Sequence, residues 1–173
     1  MVNDLLEYGR SQLGGEMSIT RRLTDMTQVC QATLDDARAA HPDLEFAFEA
    51  DGEATGQFDG ARLQQVYANL LINAAQYGTA DRGIKMTLHA DGDAVTVQVC
   101  NFGPVIPVES LHAIFDPLVQ LAAPELQRTY SSSSGLGLFI AREITNAHAG
   151  KISATSSLEA GTVFTVWLPR VTG

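Results

Sequence analysis

Three carboxamide side chains stand at helical spacing in the segment RLQQVYANLLINAAQYG (62–78). Asn73 follows Asn69 by four residues and Gln76 follows it by seven, so a helix would project all three from one face. Amide oxygens are neutral ligands, so they can hold a hydrated Mg²⁺ that bridges phosphates without adding repulsion against the phosphate charge. Polar residues on a helix are also often merely solvated, and this pattern alone leaves both interpretations open.

A second polar group follows a predicted strand in the segment NFGPVIP (101–107). Asn101 can accept a hydrogen bond from an adenine amino group. Gly103, two residues later, would let the backbone pass close to a flat ring. Because Asn-x-Gly is common in turns, this segment by itself does not identify a base-binding site.

Small residues run directly into a predicted helix in SSSSGLGLFIARE (131–143). The free N–H groups at the start of that helix, together with the helix dipole, would form an anion site. The candidates there are Ser134, Gly135, Leu136, Gly137 and Leu138. A serine run is also typical of a flexible linker, and we predict a mobile loop over 119–134 that serves as both lid and phosphate cradle.

The fourth candidate is Thr162, beside Gly161 at the start of GTVFTVWLP (161–169). The alternation of this segment predicts a strand whatever the function. Thr162 is therefore the one residue of the segment that we single out for ligand contact.

The elements that must position these residues follow from periodicity and turn residues. Residues 1–40 predict two helices joined near Gly14-Gly15, and Asp59 is a candidate N-cap for a helix that Gly78 ends. The other predicted elements are strands at 44–50, 57–59, 83–90, 94–101, 151–157 and 162–169 and helices at 60–77, 108–114 and 136–148. This order predicts an α/β two-layer sandwich, with a mixed sheet covered on one face by helices.

Composition narrows the class of protein. Apolar residues make up 45% of the 173 residues, which is enough for a globular core. The net charge is −9 and no basic stripe is visible, which argues against nucleic-acid binding. No apolar run is long enough to span a membrane and the first residues do not resemble a signal peptide, so we expect a cytoplasmic protein without membrane contact. Cys30 and Cys100 match no metal-binding spacing.

In this order, the four segments resemble the N, G1, G2 and G3 boxes of sensor histidine kinases. These kinases belong to the ATPase superfamily shared with DNA gyrase, heat-shock chaperones and mismatch-repair proteins. The segment IFDPL (114–118) resembles their phenylalanine box. The resemblance covers about residues 45–170 and implies a Bergerat-type ATP-binding fold. Residues 1–40 resemble the end of a dimerisation helix hairpin with its linker, which leaves 41–173 as the catalytic domain.

The resemblance implies a role for each candidate residue. Asn73 matches the Mg²⁺ ligand, and Asn69 and Tyr77 match residues near the phosphates and the nucleoside. Asn101, with Gly103 beside it, stands where the family usually has the Asp that recognises adenine. Gly135 and Gly137 match the glycines whose backbone approaches the phosphates, and Thr162 matches the threonine near the adenine.

Several residues depart from the family pattern. Gln76 replaces a usual Lys or Arg, Asn101 replaces Asp, and Val105 and Leu118 replace a glycine and a phenylalanine. Arg128 is the only cation in the stretch 101–134. The phosphate charge would therefore be met by Mg²⁺, the helix start near Gly135 and Arg128, and we expect weaker ATP binding than in a kinase with the usual cations.

The implied activity is transfer of the ATP γ-phosphate to a histidine and then to an aspartate on a response regulator receiver domain. The family's phosphoacceptor lies in a His-acid pair on the dimerisation hairpin, and none of the four histidines fits it: His41, His89, His112 and His148. The expected partners are therefore that hairpin and the receiver domain.

Two alternatives remain open at this stage. One is a degenerate nucleotide-binding or scaffold domain, with Gln76 and Asn101 as signs of decay, and Mg-dependent ATP binding would separate it from a kinase. The other is a serine kinase of the anti-sigma type, against which the helical residues 1–40 argue.

Overall fold

The computed structural model of the chain describes residues 2–15, 17–117 and 135–171. Two short 3₁₀ turns, Val108–Ser110 and Ala113–Phe115, precede the last helix. The helices and strands, in chain order, are α1 (Val2–Gln12), β1 (Arg22–Asp25), α2 (Met26–Ala40), β2 (Phe46–Asp51), β3 (Thr55–Phe58), α3 (Gly60–Tyr77), β4 (Ile84–Asp91), β5 (Ala94–Asn101), α4 (Gly137–Ala147), β6 (Lys151–Ser157) and β7 (Gly161–Pro169).

The main sheet has five strands in the order β2-β4-β5-β7-β6. β2 pairs with β4 in parallel, and the other three pairs are antiparallel, so the sheet is mixed. Helix α2 contacts β2, α3 contacts β4 and β5, and α4 contacts β6 and β7. This arrangement confirms the predicted two-layer α/β sandwich.

The core lies between the helices and one face of this sheet. Strands β4 and β5 each bury every second side chain, which is the pattern of a sheet covered on one side. The buried members are Ile84, Met86, Leu88, Val95, Val97 and Val99. At the end of β5 this apolar column stops at a polar residue, Asn101, which is also buried.

The predicted helix before residue 40 was wrong over its first part. Residues Arg22–Asp25 form β1, which pairs antiparallel with β3, and the helix begins only at Met26. The side chain of Asp25 accepts a hydrogen bond from the N–H of Thr27 and caps the helix there. Leu23, which fits the helical spacing, is 70% exposed. The pairing with β3, far along the chain, overrides that spacing.

Helix α2 is part of the same core as the sheet. Met26, Cys30 and Leu34 have no exposed surface and pack against α3. The division predicted at residue 40 stays a prediction, and this packing favours a boundary before β1.

Smaller differences concern turns. The helix predicted near 108–114 is instead the pair of 3₁₀ turns. Gly78 follows α3 as predicted, but its φ of −76° is not left-handed. A side chain does not fit at this position, because a Cβ on Gly78 would lie 2.5 Å from the carbonyl oxygen of Ala74.

The mobile loop predicted over 119–134 lies outside the described residues. None of the helices in the described ranges has the length and apolar character needed to cross a membrane.

Candidate functional site

Helix α3 presents the predicted carboxamides beside its buried face. Asp59 caps the helix by accepting a hydrogen bond from the N–H of Arg62 at 3.1 Å. Four side chains on the core face have no exposed surface: Leu63, Val66, Leu70 and Ala74. Asn69, Asn73 and Gln76 are half-buried, as expected for residues at the border of that face.

Asn69 joins α3 to the start of α4. Its side-chain N–H donates to the carbonyl oxygen of Gly137 at 3.0 Å. A Cβ on Gly137 would make only ordinary contact with Asn69, at 3.6 Å. Gly135, by contrast, has a φ of +73°, a left-handed conformation that glycine adopts without strain. The first and third of the four predicted segments are therefore in direct contact at Asn69 and Gly137.

The start of α4 has backbone donors but no side-chain cap. Leu136 occupies the N-cap position without a capping hydrogen bond from its side chain, so the first N–H groups can face an anion. The side chain of Leu136 is fully buried, so only its backbone can contact a ligand. Leu138 also packs on the core. Arg128 and Ser134, the other predicted phosphate contacts, lie outside the described residues.

Asn101 ends β5 with its side chain turned into the protein. It is 2% exposed, and its Oδ1 is the one buried side-chain polar atom of the described residues that lacks a hydrogen-bond partner. An unpaired buried acceptor costs about 1–3 kcal/mol. The adjacent residue on β7 is Thr162, which is 4% exposed and pairs with Asn101 in the strand register. A ligand with a hydrogen-bond donor at this point would satisfy Asn101.

The loop after Asn101 is held against the end of α3. A Cβ on Gly103 would lie 2.1 Å from the carbonyl oxygen of Tyr77, so the two backbones touch. The N–H of Thr79 donates to the carbonyl oxygen of Phe102 at 2.6 Å. Burial raises the pKa of Tyr77, so its phenol stays protonated at neutral pH. The first and second predicted segments are thus brought together as expected.

Three contacts of this region were missed from the sequence. The hydroxyl of Ser156 on β6 lies 2.8 Å from that of Thr162 and accepts the N–H of Ile106 at 2.9 Å. The guanidinium of Arg82 stacks over the ring of Phe102, 4.0 Å from its centre. The alternation of KISATSS places Ser156 on one face of its strand, but the sequence does not show which residue it faces.

The phenylalanine-box segment packs beneath the site. Ile114 and Phe115 are buried, and the ring of Phe115 meets that of Phe164 edge to face at 6.1 Å. Asp116 forms an ion pair with Arg142 of α4 at 3.6 Å. This segment therefore supports α4 and β7, which carry Gly137 and Thr162.

A comparison with known protein families matches residues 58–172 to one described as histidine kinase-, DNA gyrase B-, and HSP90-like ATPase. The chain belongs to this family. The matched range contains all four predicted segments, and the ATPase fold accounts for their meeting at one end of the sheet.

Curated relatives of this ATPase domain are sensor kinases. The adaptive-response sensory kinase SasA of Synechococcus sp. (strain JA-2-3B'a(2-13)) is 32% identical over 173 residues, covering 98% of this chain and 45% of that protein. The sensor protein CutS of Streptomyces coelicolor is 30% identical over 172 residues, covering 98% of this chain and 40% of that protein. The chain therefore spans less than half the length of these relatives.

Solved structures with the same fold are histidine kinases. The catalytic domain of ThkA aligns with a TM-score of 0.75 and 28% identity, covering 90% of this chain and 100% of that one. Full-length ShkA in complex with AMPPNP aligns with a TM-score of 0.82 and 25% identity, covering 99% of this chain and 35% of that one. The fold of this chain is that of a histidine kinase catalytic domain.

Proposed function

We propose that this chain binds Mg-ATP and presents the γ-phosphate to a histidine on the dimerisation hairpin of a sensor histidine kinase. The observation that carries the ATP assignment is the buried, unpartnered Oδ1 of Asn101 beside Thr162. An adenine amino group is a donor that suits this acceptor. The comparisons support a histidine kinase over the two alternatives considered from the sequence.

The chain's part in the reaction is positioning and charge neutralisation. Phosphoryl transfer needs little covalent chemistry from the protein, so holding the phosphate in line with its acceptor accounts for most of the rate. The start of α4 with Gly135 and Gly137, together with Arg128 and Ser134, would hold the phosphates. Asn69, Gln76 and Tyr77 on α3 would lie near the phosphates and the nucleoside.

Asn73 is the proposed Mg²⁺ ligand. Among the described residues, no group of three or more His, Cys, Asp or Glu side chains could hold a metal ion. A bound Mg²⁺ would therefore rely on the neutral amide oxygen of Asn73, on water and on the phosphates themselves. This donor set fits a metal that arrives with the nucleotide, and the Mg²⁺ would neutralise phosphate charge in a protein whose own net charge is −9.

The proposed partners are the phosphoacceptor hairpin and the receiver domain of a response regulator, both in the cytoplasm. The nucleotide analogue in the ShkA structure supports a nucleotide in the equivalent fold. We also propose that the catalytic domain begins with β1 and not after residue 40, because α2 shares the core with α3. Helix α1 would then be the end of the hairpin.

Calorimetric titration with ATP, with and without Mg²⁺, tests the proposal directly. We expect binding that requires Mg²⁺, and transfer of label from γ-labelled ATP to an added phosphoacceptor hairpin. A folded protein that binds no nucleotide at any Mg²⁺ concentration would contradict the proposal and favour the scaffold alternative.

A further inference from the structure

Three polar side chains form a row across the buried face of the sheet. The strand register places Thr162 of β7 between Asn101 of β5 and Ser156 of β6. The next row is apolar and consists of Val99, Phe164 and Ala154. Side chains directly opposite on neighbouring strands lie about 4.5–5.5 Å apart at their Cβ atoms, so the row is one continuous polar strip. The apolar core stops at this polar strip, which lies where the nucleotide is proposed to bind.

Ser156 connects this strip to the loop after β5. Its Oγ accepts the backbone N–H of Ile106 at 2.9 Å and lies 2.8 Å from Oγ1 of Thr162. A hydroxyl that accepts an N–H becomes a better donor, because hydrogen bonds in a chain polarise one another. This arrangement favours Ser156 donating its proton to Thr162.

We propose that Ser156 is a positioning residue for nucleotide binding, which acts by fixing the direction of the Thr162 hydroxyl. Because Thr162 accepts from Ser156, its own O–H is left to donate into the site. Ser156 also anchors the loop 102–107 through Ile106. The inference rests on the proposed function, since it assigns Thr162 and Asn101 to the base of a bound nucleotide.

The fixed direction of the Thr162 hydroxyl affects which nucleotide base the site prefers. Adenine presents a donor amino group next to the acceptor N1, and these match an acceptor at Asn101 and a donor at Thr162. Guanine presents a carbonyl oxygen next to an N–H, which is the reverse order. If Ser156 were lost, the Thr162 hydroxyl would rotate freely and could accept from guanine. Ser156 therefore contributes to the preference for ATP over GTP and to affinity.

The test compares two variants that differ by one hydroxyl. Ser156→Val and Ser156→Thr have side chains of the same shape, but only the threonine keeps the Oγ. The matched control is Ser153→Val, on the same strand with its side chain exposed. The probes are Mg-ATP and Mg-GTP in competition binding, with the melting temperature of each variant measured in parallel.

We expect Ser156→Val to weaken Mg-ATP binding roughly 5- to 30-fold, the range expected for losing one or two hydrogen bonds. We expect Mg-GTP binding to weaken less, so that the ratio of ATP affinity to GTP affinity falls. Ser156→Thr should restore both affinities. Equal weakening for both nucleotides would assign Ser156 a purely structural role and overturn the proposal, as would a valine variant that matches the wild type. If the wild type itself binds no ATP, the proposed function fails first, which separates the two conclusions.

Discussion

Asn73 illustrates how one side chain can be tested without disturbing the core. It is half-buried at the edge of the face that Leu70 and Ala74 bury. We predict that Asn73→Ala removes Mg-dependent ATP binding and leaves the melting temperature nearly unchanged, because the neutral oxygen proposed for Mg²⁺ is lost while the core is intact. Titration with Mg-ATP measures the effect. Asn146→Ala, at an exposed position of α4, is the matched control, and equal affinity in both variants would remove Asn73 from the site.

Asn101 is the departure from the family pattern with the clearest chemical meaning. A carboxylate can only accept hydrogen bonds, whereas an amide can turn over and donate instead. We predict that Asn101→Asp raises ATP affinity several-fold at most, since a charge-assisted bond adds on the order of 1 kcal/mol. The same change should widen the gap between ATP and GTP, because a carboxylate repels the carbonyl oxygen of guanine.

Competition binding of both nucleotides measures this prediction. Asn146→Asp makes the same chemical change at an exposed position and should alter neither affinity. An Asn101→Asp variant with unchanged ATP affinity and an unchanged nucleotide ratio would show that Asn101 does not contact the base.

At the scale of elements, the contact between the loop after β5 and the end of α3 depends on Gly103. A Cβ at this position would lie 2.1 Å from the carbonyl oxygen of Tyr77, which is far inside van der Waals contact. We predict that Gly103→Ala destabilises the domain by about 1–3 kcal/mol, typical of forced overpacking, and weakens nucleotide binding. Gly92→Ala is the control, because a Cβ there meets no atom within 4 Å. Equal stability of the two variants in urea unfolding would contradict the contact.

His148 joins the end of α4 to the start of α3. Its Nε2 accepts the N–H of Asp59 at 3.0 Å and its Nδ1 donates to the carbonyl oxygen of Ile144 at 2.9 Å, so the ring is neutral. Burial is the main cause that lowers the pKa of His148 below its usual 6.5. The hydrogen bond to the carbonyl of Ile144 and the charge of Asp59 oppose this shift, and the charge of Arg21 adds to it. The unfolded chain therefore binds this proton more tightly than the folded chain does.

It follows that His148 stabilises the fold above about pH 6.5 and that this contribution is lost as the pH falls through the lowered pKa. We predict a decline in the free energy of unfolding below pH 6.5, with a slope from this group of at most about 1.4 kcal/mol per pH unit. His148→Gln should flatten that slope even if it lowers stability overall. Urea unfolding from pH 7.5 to 5.5 measures it, and parallel curves for both proteins would rule out His148.

The sequence predicted those elements whose limits are set locally. The predicted hairpin between β4 and β5 agrees with the structure because Asp91-Gly92-Asp93 marks its turn. The predicted helix α3 agrees with the structure because Asp59 caps it. What could not be predicted depends on pairing between distant segments. β1 exists because it pairs with β3, and Ser156 matters because the register places it against Thr162. Within the site, the sequence named Asn101 and Gly103 but could not show that Leu136 turns its side chain into the core.

At the scale of the whole molecule, none of the four histidines is among the residues that form the proposed nucleotide site. His148 is fully buried with both ring nitrogens bonded, and His41 ends α2. His89 projects from the face of β4 opposite the buried residues, and its Nδ1 lies 3.1 Å from a carboxylate oxygen of Asp51. His112 is exposed between the two 3₁₀ turns. The proposed transfer needs an acceptor nitrogen held in line with the γ-phosphate, so we expect the acceptor to come from another segment.

We therefore predict that this chain, incubated alone with Mg-ATP labelled on the γ-phosphate, gains no acid-labile label. Addition of a purified phosphoacceptor hairpin should place the label on the hairpin, because the hairpin supplies the acceptor histidine that the proposed reaction needs. The control is the same mixture with Asn73→Ala, which should leave the hairpin unlabelled. Acid-labile label on this chain alone would contradict the prediction. Loss of that label in His112→Gln or His41→Gln would then identify the acceptor, since these two histidines are neither fully buried nor paired with a carboxylate.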